Sequence, residues 1–80
     1  MTFNSIRDLV ELLNKLTAAH ISFRLSNPTE GAVMIEIAVP GERWEIELNA
    51  DGDVGVEIFP SEGKIRGVEA IDELFRRFSD

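Results

Sequence analysis

The chain has 80 residues, of which 44% are hydrophobic and 29% are charged. This composition excludes disorder throughout, and the length allows one hydrophobic core but not two, so we expect one domain over residues 1–80. The absence of cysteine from the sequence excludes a disulfide framework, a thiolate zinc site and a cysteine nucleophile. The net charge of −7 argues against a nucleic-acid ligand, because phosphate binding needs clustered Lys and Arg.

The first helix is predicted over residues 5–19, where apolar residues recur at three- and four-residue spacing. Charged residues interrupt every apolar run, so the segment lacks the uncharged core of about 7–15 residues that a signal peptide needs. No stretch approaches the roughly 18 apolar residues of a membrane span, and we expect a cytoplasmic protein that does not bind membranes. The expected buried face consists of Ile6, Leu9, Val10, Leu13 and Leu16, with Leu12 at its border.

Four strands follow, each with the alternation of apolar and polar residues that is typical of half-buried strands. Short segments with proline or glycine separate them at residues 27–31, 40–41 and 50–52. The residues expected to face the core are Ile21, Phe23 and Leu25, then Val33, Ile35, Ile37 and Val39, then Trp44, Ile46 and Leu48, and finally Val54, Val56 and Ile58.

The loop at residues 50–52 sets the register of the last two strands. A three-residue loop places Leu48 opposite Val54, so that inward residues meet inward residues. A two-residue loop would place Leu48 opposite Gly55 and mix the two faces of the sheet, which burial of one face forbids. We therefore predict a type I turn followed by Gly52 in the left-handed region, as a bulge.

A second helix is predicted over residues 68–78, with acidic residues early and arginines late, as the helix dipole favours. Ile65, between the preceding loop and this helix, is expected to fill the edge of the core. The expected buried face of the helix consists of Val68, Ile71, Leu74, Phe75 and Phe78.

These elements define a fold class. The short connections favour antiparallel neighbours, because parallel strands need long crossovers. Each helix has one apolar stripe, so both helices should cover the dry face of the sheet. We predict a two-layer α+β domain in the order helix, four-stranded antiparallel meander, helix, with both helices on one face. The alternative is a strongly curled sheet that wraps around one helix.

Few residues suggest catalysis or metal binding. The only histidine, His20, follows the first helix and is interpreted as a structural or surface residue. Asn49, Asp51 and Asp53 have the spacing of calcium ligands, but the chain has valine and proline where a calcium loop needs glycine and glutamate. A domain of this size has little room for a substrate cleft of about 300 Å³. We expect no enzymatic activity, no metal and no cofactor.

The acidic residues concentrate in the last three strands, since residues 30–62 contain nine acids and one base. The predicted turns place Glu36 opposite Glu45, and Glu45 opposite Glu57, on the open face of the sheet. Like charges directly opposite each other destabilise a sheet by up to about 1 kcal/mol. This row indicates either a solvated face that keeps the protein soluble or a docking surface for a basic protein. The predicted partner-binding residues are Glu36, Glu45, Glu47 and Glu57, with Met34 and Phe59 as apolar anchors.

Residues 41–48 and 51–54 combine an acidic strand with an Asp-Gly turn, and residues 63–65 and 69–75 add a Gly-Lys-Ile segment and a short acidic helix. This pattern, over about residues 41–75, resembles small bacterial immunity proteins associated with polymorphic toxins. The resemblance implies a cytosolic protein without catalytic activity that binds and neutralises a toxin domain. Many such toxins are nucleases with basic clefts, which an acidic face would suit. The resemblance supplies no invariant motif, so no functional residue is carried over from it.

The sequence therefore leads to two hypotheses. The first is a non-catalytic protein-binding module, an immunity protein or antitoxin that neutralises a basic toxin domain through an acidic sheet face. The alternative is a small structural or oligomerisation domain with no dedicated ligand. Residues 54–59 should form an edge strand with one charge and no proline, so we also predict a weak homodimer through this edge.

Overall fold

The computed structural model describes residues 5–60 and 63–78. Its strands form one antiparallel sheet in the order β1-β2-β3-β4. The predicted α+β class, the meander and the order of elements are confirmed. In the described part of the chain, no helix has the length and apolar content needed to cross a bilayer. The elements are α1 (Ile6–Ala18), β1 (Ser22–Ser26), β2 (Ala32–Val39), β3 (Glu42–Asn49), β4 (Val54–Phe59) and α2 (Glu69–Phe78).

The turn between β3 and β4 has the predicted geometry. Leu48 lies opposite Val54, as a three-residue loop requires. Gly52 has a φ of 92°, and its N–H donates to the carbonyl of Asn49 at 2.8 Å, which closes the turn. The predicted register of β3 and β4 and the predicted left-handed conformation of Gly52 are both confirmed.

Both helices cover the same face of the sheet, and one hydrophobic core joins the two layers. Trp44 at the centre of β3 is completely buried, and its indole N–H donates to Oε1 of Glu42 at 3.0 Å. The Nζ of Lys15 on α1 lies 4.4 Å from the ring centre of Phe75 on α2, so the helices also contact each other. The core residues are Leu12, Leu16, Ala19, Ile21, Ile35, Ile37, Trp44, Ile46, Val56, Ile58, Ala70, Ile71, Leu74 and Phe75.

The buried face of α1 differs from the predicted one. Leu12, expected at its border, is fully buried, whereas Ile6 and Val10 are 74% and 46% exposed. The reason is that α2 flanks α1 on one side, as the contact between Lys15 and Phe75 shows. The side of α1 that carries Leu12 therefore turns into the core, and the side that carries Ile6 and Val10 turns away from it.

Two further residues expected in the core are exposed. Leu25 is 45% exposed because it belongs to the edge strand β1. Ile65 is 73% exposed because its segment runs along β4 instead of entering the core. There, Arg66 exchanges both backbone hydrogen bonds with Val56, at 2.7 and 2.8 Å. The edge of β4, expected to mediate a homodimer, is thus already occupied at its centre.

The helix α1 ends at a left-handed residue that is not glycine. His20 has a φ of 59°, and its N–H donates to the carbonyl of Thr17 at 3.1 Å. The N–H of Ile21 donates to the carbonyl of Leu16 at 3.0 Å, which completes a Schellman motif. His20 is exposed, and its backbone conformation ends the helix.

Candidate functional site: the open face of the sheet

The face of the sheet opposite the helices carries the predicted partner-binding residues. Glu36 lies opposite Glu45, and Glu45 lies opposite Glu57, so the three carboxylates form one row across β2, β3 and β4. Glu47 lies in the next row, opposite Met34. We call the surface formed by these four glutamates the acidic face. Its arrangement follows from the two turns that set the register of the strands.

Glu36 is neutralised by residues of β1. Arg24 donates to Oε1 of Glu36 at 3.0 Å, and the hydroxyl of Ser26 donates to Oε2 at 3.0 Å. These hydrogen bonds, that of Arg24 foremost, hold the pKa of Glu36 below its ordinary value of 4.5. The end of the row nearest β1 is therefore an ion pair, and it contributes little to the attraction of a cation.

Neutralisation decreases toward β4. Arg43 lies 3.5 Å from Glu45, and its guanidinium also lies over the ring of Phe59, 4.5 Å from the centre. Within residues 5–60 and 63–78, no Lys or Arg nitrogen lies within ion-pair distance of Glu47 or Glu57. The uncompensated negative charge of the acidic face therefore lies on β3 and β4.

A hollow of about 100 Å³ lies in this part of the acidic face. Gly55 makes room for Ile65, since a Cβ built on Gly55 would lie only 3.2 Å from Cγ2 of Ile65. The side chain of Ile65 therefore occupies the space over β4 that a side chain at position 55 would otherwise fill. We call this hollow the acidic notch, and it is lined by Met34, Glu45, Glu47, Gly55, Glu57 and Ile65.

The structure separates the two predicted apolar anchors. Met34 lines the acidic notch, whereas Phe59 lies in another row, beneath the guanidinium of Arg43. Ile65, which sequence reasoning assigned to the core, takes the second apolar position in the notch. Gly55 was the available signal for this contact, because a glycine inside a strand often marks the close approach of another segment.

The other candidate residues have structural roles. The carboxylate of Asp51 accepts a hydrogen bond from the N–H of Asp53 at 2.9 Å, as expected for a turn. Arg66, in the segment that precedes α2, lies 2.6 Å from Glu73, and this hydrogen bond holds the pKa of Glu73 below its ordinary value. In the part of the chain that the structure describes, no group of three His, Asp or Glu side chains could hold a metal ion.

Comparison of the chain with protein-family models, with curated proteins and with solved structures finds no match. The geometry and charge of the acidic face are therefore the features of this chain that bear on its function. A shallow surface with clustered carboxylates and two apolar side chains suits the binding of a basic group.

Proposed function

We propose that this protein is a non-catalytic binding module that docks a basic protein through the acidic face. The acidic notch is the main support for this proposal, because it combines three carboxylates with the apolar side chains of Met34 and Ile65. A Lys or Arg side chain is apolar along its stem and charged at its tip, and so it is complementary to both parts of the notch.

The size of the notch favours a protein ligand over a small molecule. Sites that enclose small molecules have volumes of about 300–1,000 Å³, whereas the acidic notch has about 100 Å³. It has room for the tip of one side chain, and the carboxylates outside it offer contacts to further basic residues of the same partner. Aromatic, Met and Arg side chains are common at the centres of such interfaces.

Electrostatics supports the same proposal. Glu45 and Glu57 lie directly opposite each other, an arrangement that destabilises the free protein by up to about 1 kcal/mol. A basic partner converts this repulsion into attraction. It would also associate faster, by about 10- to 1,000-fold at low salt, because the field of the face steers its approach.

Within this class we propose an immunity protein or antitoxin of a basic toxin domain, which the resemblance over residues 41–75 supports. The test is protection of cells from a toxin encoded by an adjacent reading frame. We expect wild type to protect and a variant with Glu45→Gln, Glu47→Gln and Glu57→Gln to fail while remaining folded. We call this the notch variant. Full protection by the notch variant would contradict the proposal that the notch binds the toxin.

The binding module itself is tested by titrating an oligoarginine peptide into labelled protein and recording backbone amide shifts by NMR. We expect the largest shifts at Met34, Gly55 and Glu57, and a loss of affinity of about tenfold in the notch variant. A control with the same change of net charge, which we call the remote variant, should lose much less. Equal losses in both would show that only net charge matters and would contradict the proposal. The remote variant carries Glu11→Gln, Glu30→Gln and Asp72→Asn, all at exposed positions.

A further inference from the structure

We propose that two copies of this chain pair through β1 and form a homodimer with a continuous eight-stranded sheet. β1 pairs with β2 on one side only, so its other side presents unpaired backbone N–H and C=O groups. The opposite edge of the sheet is different, because Val56 on β4 already exchanges hydrogen bonds with Arg66. β1 is therefore the open edge in the described part of the chain.

An exposed apolar patch lies beside this edge. Ile6 and Val10 lie one helical turn apart, on the side of α1 away from Lys15, which contacts α2. α1 contacts β1, the strand on which Leu25 is also exposed. We call these three residues the apolar flank. Each of these residues exposes apolar surface that a second copy could cover.

The charge distribution favours a second copy as the occupant. Residues 30–62 contain nine acids and one base, so two acidic faces repel each other. Residues 1–29, which include α1 and β1, contain three bases and two acids. Two copies therefore meet with less like-charge repulsion along β1 than along the acidic strands. Antiparallel pairing of one strand with itself about a two-fold axis is self-complementary, as a closed dimer requires.

The side chains of β1 select a register. Pairing centred on Arg24 would place the two arginines opposite each other, which is destabilising. Pairing centred on Leu25 places Arg24 opposite Ser26 of the second copy and buries Leu25 against its counterpart. The hydroxyl of that Ser26 donates to Glu36, so each arginine also comes near a carboxylate of the other copy. The two Leu25 side chains then lie together on the side of the joined sheet that the helices cover.

This pairing sets the positions of the two acidic faces, and the gain in avidity that follows rests on the proposed function. A two-fold axis perpendicular to the sheet leaves both acidic faces on the same side of the eight-stranded sheet. The dimer therefore presents two acidic notches to one surface, whereas pairing through the helices would point them apart. A partner with two basic sites would bind such a dimer with higher avidity than a monomer.

Cysteine cross-linking tests the register directly, because the chain has no cysteine of its own. Residues directly opposite in an antiparallel pair have Cα atoms about 4.5–5.5 Å apart, within the range that a disulfide spans. Under oxidation, Leu25→Cys should form a disulfide-linked dimer in high yield, and Ile65→Cys, at a more exposed position, should remain monomeric. Equal yields from both variants, or a high yield from Val54→Cys on the β4 edge, would overturn the proposal.

Light scattering at high micromolar concentration tests the dimer without a covalent bond. Wild type should have twice the mass of the chain, which is 8.9 kDa, and Leu25→Lys should have the monomer mass. Ile65→Lys should stay dimeric, because Ile65 lies far from β1 on the open face. A monomeric wild type, or a Leu25→Lys variant that stays dimeric, would overturn the proposal.

Discussion

His20 occupies a backbone conformation that side chains with a Cβ adopt at some cost in free energy. The left-handed region costs a residue other than glycine about 1–2 kcal/mol, and the C′ position of a Schellman motif is most often glycine. The histidine side chain itself is exposed. The strain therefore belongs to the position, and it limits the stability of the junction between α1 and β1.

Glycine at position 20 should make the protein more stable than alanine at the same position. We expect the free energy of unfolding of His20→Gly to exceed that of His20→Ala by about 1 kcal/mol, as measured by urea denaturation. The alanine variant is the proper reference, because both substitutions remove the imidazole and only one removes the Cβ. Equal stability of the two variants would show that the backbone at position 20 is not strained.

Gly52, in the turn between β3 and β4, also has a left-handed backbone conformation. With its φ of 92°, a β-branched side chain is strongly disfavoured there, and Gly52→Val should lower the free energy of unfolding by more than about 1 kcal/mol. Gly52→Asn should cost less, because asparagine tolerates the left-handed region better. A valine variant as stable as wild type would contradict the bulged turn on which the register of the acidic face depends.

The sequence predicts some residues well and others poorly, for physical reasons. Gly52 was predictable because the register of alternating faces allows only one loop length. Leu12 was misplaced because the helical repeat alone does not say which side of α1 a second helix will cover. Ile65 was misplaced because its partner, Gly55, is recognised only when the segment before α2 is seen to pair with β4.

At the scale of elements, Glu42 links β3 to α2. Its Oε1 accepts from the indole of Trp44 at 3.0 Å, and its Oε2 accepts from Arg77 at 2.9 Å. The hydrogen bond from Arg77, followed by that from Trp44, holds the pKa of Glu42 below its ordinary value of 4.5. The ionised carboxylate therefore stabilises the attachment of α2 to the sheet.

This link should make stability depend on pH in the acidic range. The folded pKa of Glu42 is lower than the unfolded pKa, so its contribution is present above about pH 4.5 and is lost as the pH falls through the lowered value. Urea denaturation at pH 7 and pH 3 should show a smaller loss of stability in Glu42→Gln than in wild type. An exposed loop variant, Glu30→Gln, serves as the control. The same pH dependence in Glu42→Gln as in wild type would contradict this role.

All six elements were predictable because their periodicities are clean and their turns contain proline or glycine. The row of Glu36, Glu45 and Glu57 followed from the same patterns, since register alone brings these residues together. The acidic notch did not follow, because it needs the segment 63–67 to run along β4. That pairing rests on two backbone hydrogen bonds, which leave no periodic signal in the sequence.

At the scale of the whole molecule, the excess of negative charge has a cost in stability. The notch variant removes repulsion among Glu45, Glu47 and Glu57, and its melting temperature should rise by about 1–4 °C, since a few tenths of a kcal/mol are recovered. Glu36→Gln should not raise the melting temperature, because this glutamate is paired with Arg24. A lower melting temperature of the notch variant would show that these glutamates stabilise the sheet.

The most direct test of the central claim, that the acidic face is a docking surface, is the salt dependence of association. The rate constant for binding a fluorescently labelled oligoarginine peptide would be measured by stopped-flow fluorescence anisotropy between about 20 and 200 mM salt. We predict that the association rate constant decreases steeply with salt for wild type and for the remote variant. For the notch variant, the rate constant should be lower and nearly independent of salt. Identical rates and identical salt dependence in all three proteins would contradict the claim.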